Sequence, residues 1–148
     1  MVLVLIDTNL LIYLYDQNEP AKQTQSRLVL DELQKTGAGR ISVQSLSEFA
    51  NIAPKKLSAF VSMADVAEQV RMFSNVFPVY FVTPLMVADA VRGVRDHQLP
   101  FYDAQIWSCA RFNQIPIVFS EDFSDGQIIE GVRFVNPFAE NFKLEKWL

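Results

Sequence analysis

The chain is poor in the residues that build most metal, redox and nucleotide sites. It has one cysteine, Cys109, and one histidine, His97, among 148 residues. A disulfide framework is therefore impossible within the chain, and a zinc centre of the usual Cys/His type is excluded by composition. Cys109 sits in the apolar stretch Ile106-Trp107-Ser108-Cys109-Ala110, where a buried structural thiol is expected, and a lone thiol fits a reducing compartment. Glycine is scarce, at 5 residues, and no Gly-rich phosphate loop is present, which argues against nucleotide hydrolysis. Basic residues do not predominate: the formal net charge is −4 and the pI is near 4.9. A protein that coats nucleic acid through general positive charge is thereby excluded, although a nuclease is not, since catalytic acids lower the pI. The N-terminal apolar run is too short for a signal-peptide core or membrane span and has no basic segment before it, so the expectation is a cytoplasmic protein without membrane association.

What is abundant is apolar and aromatic: half the residues are hydrophobic, with 12 Phe and 2 Trp. That supplies the core of one domain over residues 1–148, with no repeat, linker or low-complexity tract. The run Met1 to Ile6 reads as a buried strand. A helix is expected from Pro20 to Lys35, with Gly37 just beyond it. Further strands fall at Arg40–Val43, Pro78–Val82, Ile117–Ser120 and Val132–Val135, the last at an edge. Helices alternate with them: Ser45 to about Ala53, stopped by Pro54; Ser58 to Ser74; Thr83-Pro84 to His97; and Asp103 to Asn113. Gln17–Glu19 and Asp122–Gly131 are the longest expected loops. Such alternation predicts an α/β fold, a mostly parallel sheet of about five strands with helices on both faces.

Acids recur where these strands end. Asp7 follows the first strand, the position at which open α/β sheets build ligand sites; the bland alternative is a cap for a helix beginning at Thr8. Glu48 lies early in a helix after the second strand, where Ser45-Leu46-Ser47-Glu48 also fits a capping box. Asp103 opens a markedly apolar helix, whose positive end favours its ionised form. Asp122 and Asp125 lie in Ser120-Glu121-Asp122-Phe123-Ser124-Asp125-Gly126, which is also turn-like in composition. Several carboxylates in one pocket repel unless a cation neutralises them, and Mg²⁺ or Mn²⁺ prefers such oxygen ligands. Arg92 and Arg95 on one helix and Arg111 on the next are candidate phosphate contacts, or simply a solvated face. Tyr13, Tyr15, Phe101 and Tyr102 could stack on bases or pack in the core.

The ordered set Asp7-Thr8-Asn9, Glu48, Phe101-Tyr102-Asp103-Ala104 and Ser120-Glu121-Asp122 resembles the PIN-domain ribonucleases, and most nearly the VapC-type toxins of bacterial toxin–antitoxin pairs. The resemblance spans nearly the whole chain. It implies a PIN-like three-layer domain in which Asp7, Glu48, Asp103 and Asp122 hold Mg²⁺ or Mn²⁺, with Asn9 and Ser120 in supporting polar positions and Asp125 as a further acid. It implies metal-dependent hydrolysis of RNA phosphodiesters, leaving 5′-phosphate and 3′-hydroxyl ends, in a toxin that inhibits translation. It also implies a cognate antitoxin and a homodimer, with aromatics of Ser58–Ser74 and Phe138–Trp147 as candidate contacts. The rival reading is a catalytically inactive PIN-like scaffold or RNA-binding protein. A haloacid-dehalogenase phosphatase would need a second Asp where Asn9 stands, and a receiver domain would need an acidic pair and a late Lys that are not evident.

Overall fold

Side-chain alternation along the strands divides the interior into two cores. In the computed structural model, which describes residues 1–148, β1 is Val4–Ile6 and all its residues are buried. Val4 and Ile6 belong to a core on one side of the sheet and Leu5 to a core on the other, as the two-residue period of a strand requires. β4 (Ile117–Phe119) repeats the division, with Ile117 and Phe119 on the first side and Val118 on the second. Burial on both faces explains why these strands read as continuous apolar runs.

The sheet also contains β2 (Gly39–Ser42), β3 (Val79–Tyr80), β5 (Ile128–Ile129) and β6 (Val132–Val135). Six strands run in the order β3-β2-β1-β4-β6-β5. All neighbours are parallel except β5 and β6. β5 is the element missing from the sequence reading, which treated Asp122–Gly131 as loop and placed β6 at the edge. With only two residues, β5 carries no periodic signal; it forms because the Glu130-Gly131 turn, with both residues at positive φ, folds it back on β6.

Helices α1 (Thr8–Tyr13), α2 (Pro20–Thr36), α3 (Val43–Lys56) and α4 (Met63–Val76) supply the first core. Helices α5 (Pro84–His97) and α6 (Phe101–Phe112) supply the second. α2 ends as expected, at Gly37 in the left-handed conformation (φ 72°). α3 differs: it runs through Pro54. Proline removes one hydrogen bond, but Ala53 and Leu57 are fully buried and the Leu57 N–H still reaches the Ala53 carbonyl at 2.8 Å, so packing carries the helix past it. α4 starts later than expected, where Ser62 and Asp65 form a capping box. Aromatics expected at a partner surface pack inward instead. Phe73 is buried, and Phe60, Phe138, Phe142 and Trp147 lie against the first core.

The strand order fixes where a ligand can bind. The chain proceeds outward from β1 to β2 and β3, then returns to place β4 on the other flank of β1. The two directions part between β1 and β4, and the crevice beyond the carboxyl ends of such strands is the natural ligand site of an open α/β sheet.

Candidate active site

Asp7 stands at this parting of the strands. It caps α1 from the end of β1, and its Oδ1 accepts the Thr8 N–H at 2.8 Å. The capping and functional readings are therefore compatible, because the second oxygen remains for other work. Oδ2 accepts the Ser120 hydroxyl at 2.7 Å. Asp7 is only 4 % exposed. Burial pushes its carboxyl up to about 7, against the lowering effect of the Ser120 and Thr8 hydrogen bonds and with the help of the negative charges of Asp122 and Glu48.

Ser120, just past β4, is the hub of the site. Its Oγ donates to Asp7 and accepts from Asn9 Nδ2 at 3.2 Å and from the Asp122 N–H at 3.1 Å. Asn9 Nδ2 also donates to Asp122 Oδ2 at 3.3 Å. One hydroxyl and one amide thus tie the end of β1 to the end of β4 and aim Asp122.

Glu48 arrives from α3. Ser42, not Ser45, caps that helix, through the Ser45 N–H at 3.1 Å. Glu48 is therefore beyond the first turn and is not used in a capping box. Its Oε2 accepts the Thr8 hydroxyl at 2.9 Å and its Oε1 accepts Gln44 Nε2 at 2.6 Å. Thr8 thus holds Asp7 with its N–H and Glu48 with its hydroxyl.

Asp103, in the first turn of α6, has no hydrogen-bond partner and is partly buried. Burial, then the charges of Asp122 and Glu48, raise its carboxyl to about 6. Asp122 and Glu48 are near enough to both Asp7 and Asp103 for their charges to act on each. A cleft of about 210 Å³ opens beside Glu48 and Asp122, and its lining includes Thr8, Asn9, Tyr13, Glu121 and Lys56.

None of the four acids has a cationic partner; the ion pair at the cleft joins Lys22 to Glu121, and the others lie elsewhere. The donors are all hard oxygens, and the Oδ1 of Asn9 is a buried oxygen without a partner. This chemistry suits a divalent cation of the Mg²⁺ or Mn²⁺ kind. No three acidic, His or Cys side chains are drawn together into a ready chelate. Mg²⁺ commonly takes one or two carboxylates and completes its shell with water and phosphate oxygens, so rimming carboxylates meet its needs.

Other expected site residues lie elsewhere. Asp125 accepts the Asn136 N–H at 2.8 Å and so ties the loop to the end of β6. Arg92 is engaged by Asp89 and doubly by Glu130, the latter in the turn at the opposite end of the parallel strands from Asp7. Arg111 pairs with Asp89 and lies eight residues, about 12 Å, along α6 from Asp103. Arg95 pairs with the adjacent Asp96 on the surface. The structure does not bring these arginines to the acids. It brings two lysines instead. Lys22 holds Glu121 at 2.9 Å and Tyr13 at 3.2 Å. Lys56 lines the cleft, 5.3 Å above the Tyr13 ring, with no acidic partner. The sequence held a signal for Lys56: Glu48, Ile52 and Lys56 recur at four-residue spacing on one helix face. Ending the helix at Pro54 concealed it.

The sequence matches the PIN domain family over residues 4–124. No curated protein sequence matches the chain. Among solved structures, the chain is similar to a toxin–antitoxin complex from Klebsiella pneumoniae, at 20 % identity over 90 % of this chain and 97 % of that one, with a TM-score of 0.66. It is similar to VapC20 of Mycobacterium tuberculosis, a sarcin–ricin loop cleaving toxin, at 16 % identity over 80 % and 89 % of the two chains, with a TM-score of 0.64. It is also similar to VapBC2 of Rickettsia felis bound to a promoter DNA fragment, at 12 % identity over 90 % and 97 %, with a TM-score of 0.63. At these identities the likeness establishes the fold. With a family match over most of its length and the acids gathered where the strand order parts, the chain belongs to the PIN domain family.

Proposed function

We propose that this chain is a divalent-metal-dependent ribonuclease that acts as the toxin of a toxin–antitoxin pair. The observation that carries the reading is the set of four carboxylates near the carboxyl ends of β1 and β4, none with a cationic partner, of which Asp7 and Asp103 are raised first by burial and then by the charges of Asp122 and Glu48. Such an arrangement is costly for folding alone and is useful for holding a cation.

Asp7, Asp103 and Asp122 would hold Mg²⁺ or Mn²⁺, which when bound polarises phosphoryl oxygens and lowers the pKa of a coordinated water. Asn9 and Ser120 keep Asp7 and Asp122 in place. Glu48, held by Thr8 and Gln44, would join the cation through water or position the attacking water. Lys56 offers an unpaired ammonium at the cleft wall for a phosphate of the RNA strand. In-line attack would leave 5′-phosphate and 3′-hydroxyl ends. The toxin–antitoxin complexes among the similar structures support a cognate antitoxin as partner, and the working form proposed with it is a homodimer. The described target of VapC20 supports an RNA of the translation machinery as substrate. No helix is long and apolar enough to cross a membrane.

The test is cleavage of a mixed panel of RNAs with Mg²⁺ or Mn²⁺, with chelator and with Asp7→Asn as controls. Metal-dependent cleavage by the wild type and none by a folded Asp7→Asn protein is expected. Cleavage that persists in chelator, or in the variant, would remove the assignment.

A further inference from the structure

A second, larger cavity shares a wall with the acidic cleft. It has a volume of about 600 Å³, within the range of small-ligand pockets. Glu48 lines both. Its apolar lining includes Val43, Ile52 and Val82. Its walls include two aromatic rings from separate elements, Phe81 between β3 and α5 and Tyr102 in the first turn of α6. Large aromatic side chains are usually buried, but Phe81 is 72 % exposed and Tyr102 65 % exposed. Phe101 packs edge-on against Tyr102 at a centroid distance of 5.3 Å.

The polar lining is neutral apart from Glu48. Gln44 is fully committed to the protein: it accepts from Gln105 Nε2 at 2.7 Å and donates to the Tyr102 carbonyl at 2.9 Å and to Glu48 at 2.6 Å. The Ser47 hydroxyl, the Asn51 Nδ2 and the Gln105 Oε1 have no protein partner and lie around the same space. Together they offer both donors and acceptors.

We infer that this cavity is a nucleobase subsite, in which an unpaired base of the RNA substrate stacks on Phe81 or Tyr102 and presents its polar edge to Ser47, Asn51 and Gln105. The inference rests on the ribonuclease reading and adds to it the determinant of sequence preference. Three features select a base over other ligands. Exposed aromatic faces stack well on any base, and single-stranded RNA is read by such stacking with hydrogen bonds to base edges. The unpaired polar groups are neutral, as a heterocycle requires. The shared Glu48 wall puts a nucleotide bound there with its phosphate next to the acids. Gln44 joins the two sites, since it bonds the Tyr102 carbonyl, Gln105 and Glu48 at once.

The experiment uses the Asp7→Asn protein and single-stranded RNA hexanucleotides carrying 2-aminopurine at each position in turn, with binding followed by fluorescence quenching. Quenching is expected at one position, and Phe81→Ala or Tyr102→Ala in the same background should weaken binding of that oligonucleotide roughly 5- to 150-fold, the loss of one stacked base. Absence of quenching at every position, or affinity and quenching unchanged by both substitutions, would overturn the subsite and leave the cavity to a protein partner. In parallel, Ser47→Ala and Asn51→Ala proteins with Asp7 intact, which lose groups facing the base edge, are given a randomised RNA pool. Metal-dependent cleavage with a flattened base preference is expected; an unaltered preference would overturn the subsite. Failure of the ribonuclease reading would look different: no metal-dependent cleavage by the wild type, whatever the quenching experiment shows. Circular dichroism confirms that each variant is folded.

Discussion

Replacing Asp7 by Asn should change stability in opposite directions at the two ends of the pH scale. The native carboxyl is raised from 3.8 to about 7 by burial, with Asp122 and Glu48 adding to it. A raised carboxyl means that the native state holds its proton more tightly than the unfolded chain. Stability from this group is therefore full below about pH 4 and is lost as pH rises to about 7. At 1.36 kcal/mol per pKa unit, an ionised Asp7 costs the metal-free protein about 4 kcal/mol above pH 7. Asn cannot ionise and escapes that cost. It carries a smaller one: its Nδ2 would face Ser120 Oγ, which already accepts from Asn9 and the Asp122 N–H, and an unsatisfied buried donor costs about 1–3 kcal/mol. In chelator, Asp7→Asn should then be more stable than wild type at pH 8 by about 1–3 kcal/mol, or roughly 5 °C in melting temperature. At pH 4 the order should reverse, because both proteins are then neutral at this position and only the hydrogen-bond defect remains. Calorimetry at the two pH values in chelator measures both differences. Saturating Mg²⁺ or Mn²⁺ should then raise the wild-type melting temperature at pH 8, by about 2.7 kcal/mol of stability at a hundred times the dissociation constant, and leave the variant unmoved. A variant destabilised equally at pH 4 and pH 8 would refute the claim that Asp7 is a buried, uncompensated charge.

Lys56→Gln should weaken RNA binding and reduce the slope of log affinity against log salt by about 0.7, the value for one phosphate contact on a single strand, whereas Lys55→Gln should leave the slope alone; equal slopes in filter binding would return Lys56 to the solvated surface. Gly93→Ala tests the α5–α6 contact. A Cβ at Gly93 would lie 2.9 Å from the Trp107 ring and 3.2 Å from Ala104 Cβ, so overpacking of about 1–3 kcal/mol should exceed the helix-propensity gain of about 1 kcal/mol. A denaturant midpoint equal to or above wild type would contradict this.

The acids were legible because they follow strands whose apolar runs are unmistakable. Asp7, Asp103 and Asp122 each lie at or near an element boundary that sequence patterning locates, and Glu48 lies on the helix that follows the second strand. The arginines failed the same test because a charged residue on a helix face carries no record of which end of the sheet it will reach. Arg92 is held at the Glu130 turn, and only the antiparallel return of β5, too short to have a period, puts Glu130 there. Lys56 was hidden for a related reason. Pro54 is a strong local signal to stop, and it is overridden by the burial of Ala53 and Leu57, which are tertiary facts.

The sequence by itself determined the α/β class, the two-sided burial of the central strands, the ends at which acids emerge and the absence of any zinc-type or phosphate-loop alternative. Local periodicity and residue chemistry suffice for those, since each is written within a few consecutive residues. Only the tertiary structure decided which partners each carboxylate has: that Ser120 and Thr8 knit Asp7 to Asp122 and Glu48, that Asp125 is spent on the Asn136 backbone, and that Phe81 and Tyr102 line a cavity sharing Glu48 with the acids. Those relations join residues from eleven to more than a hundred positions apart, and the strand order that brings them together is set by packing of the whole chain.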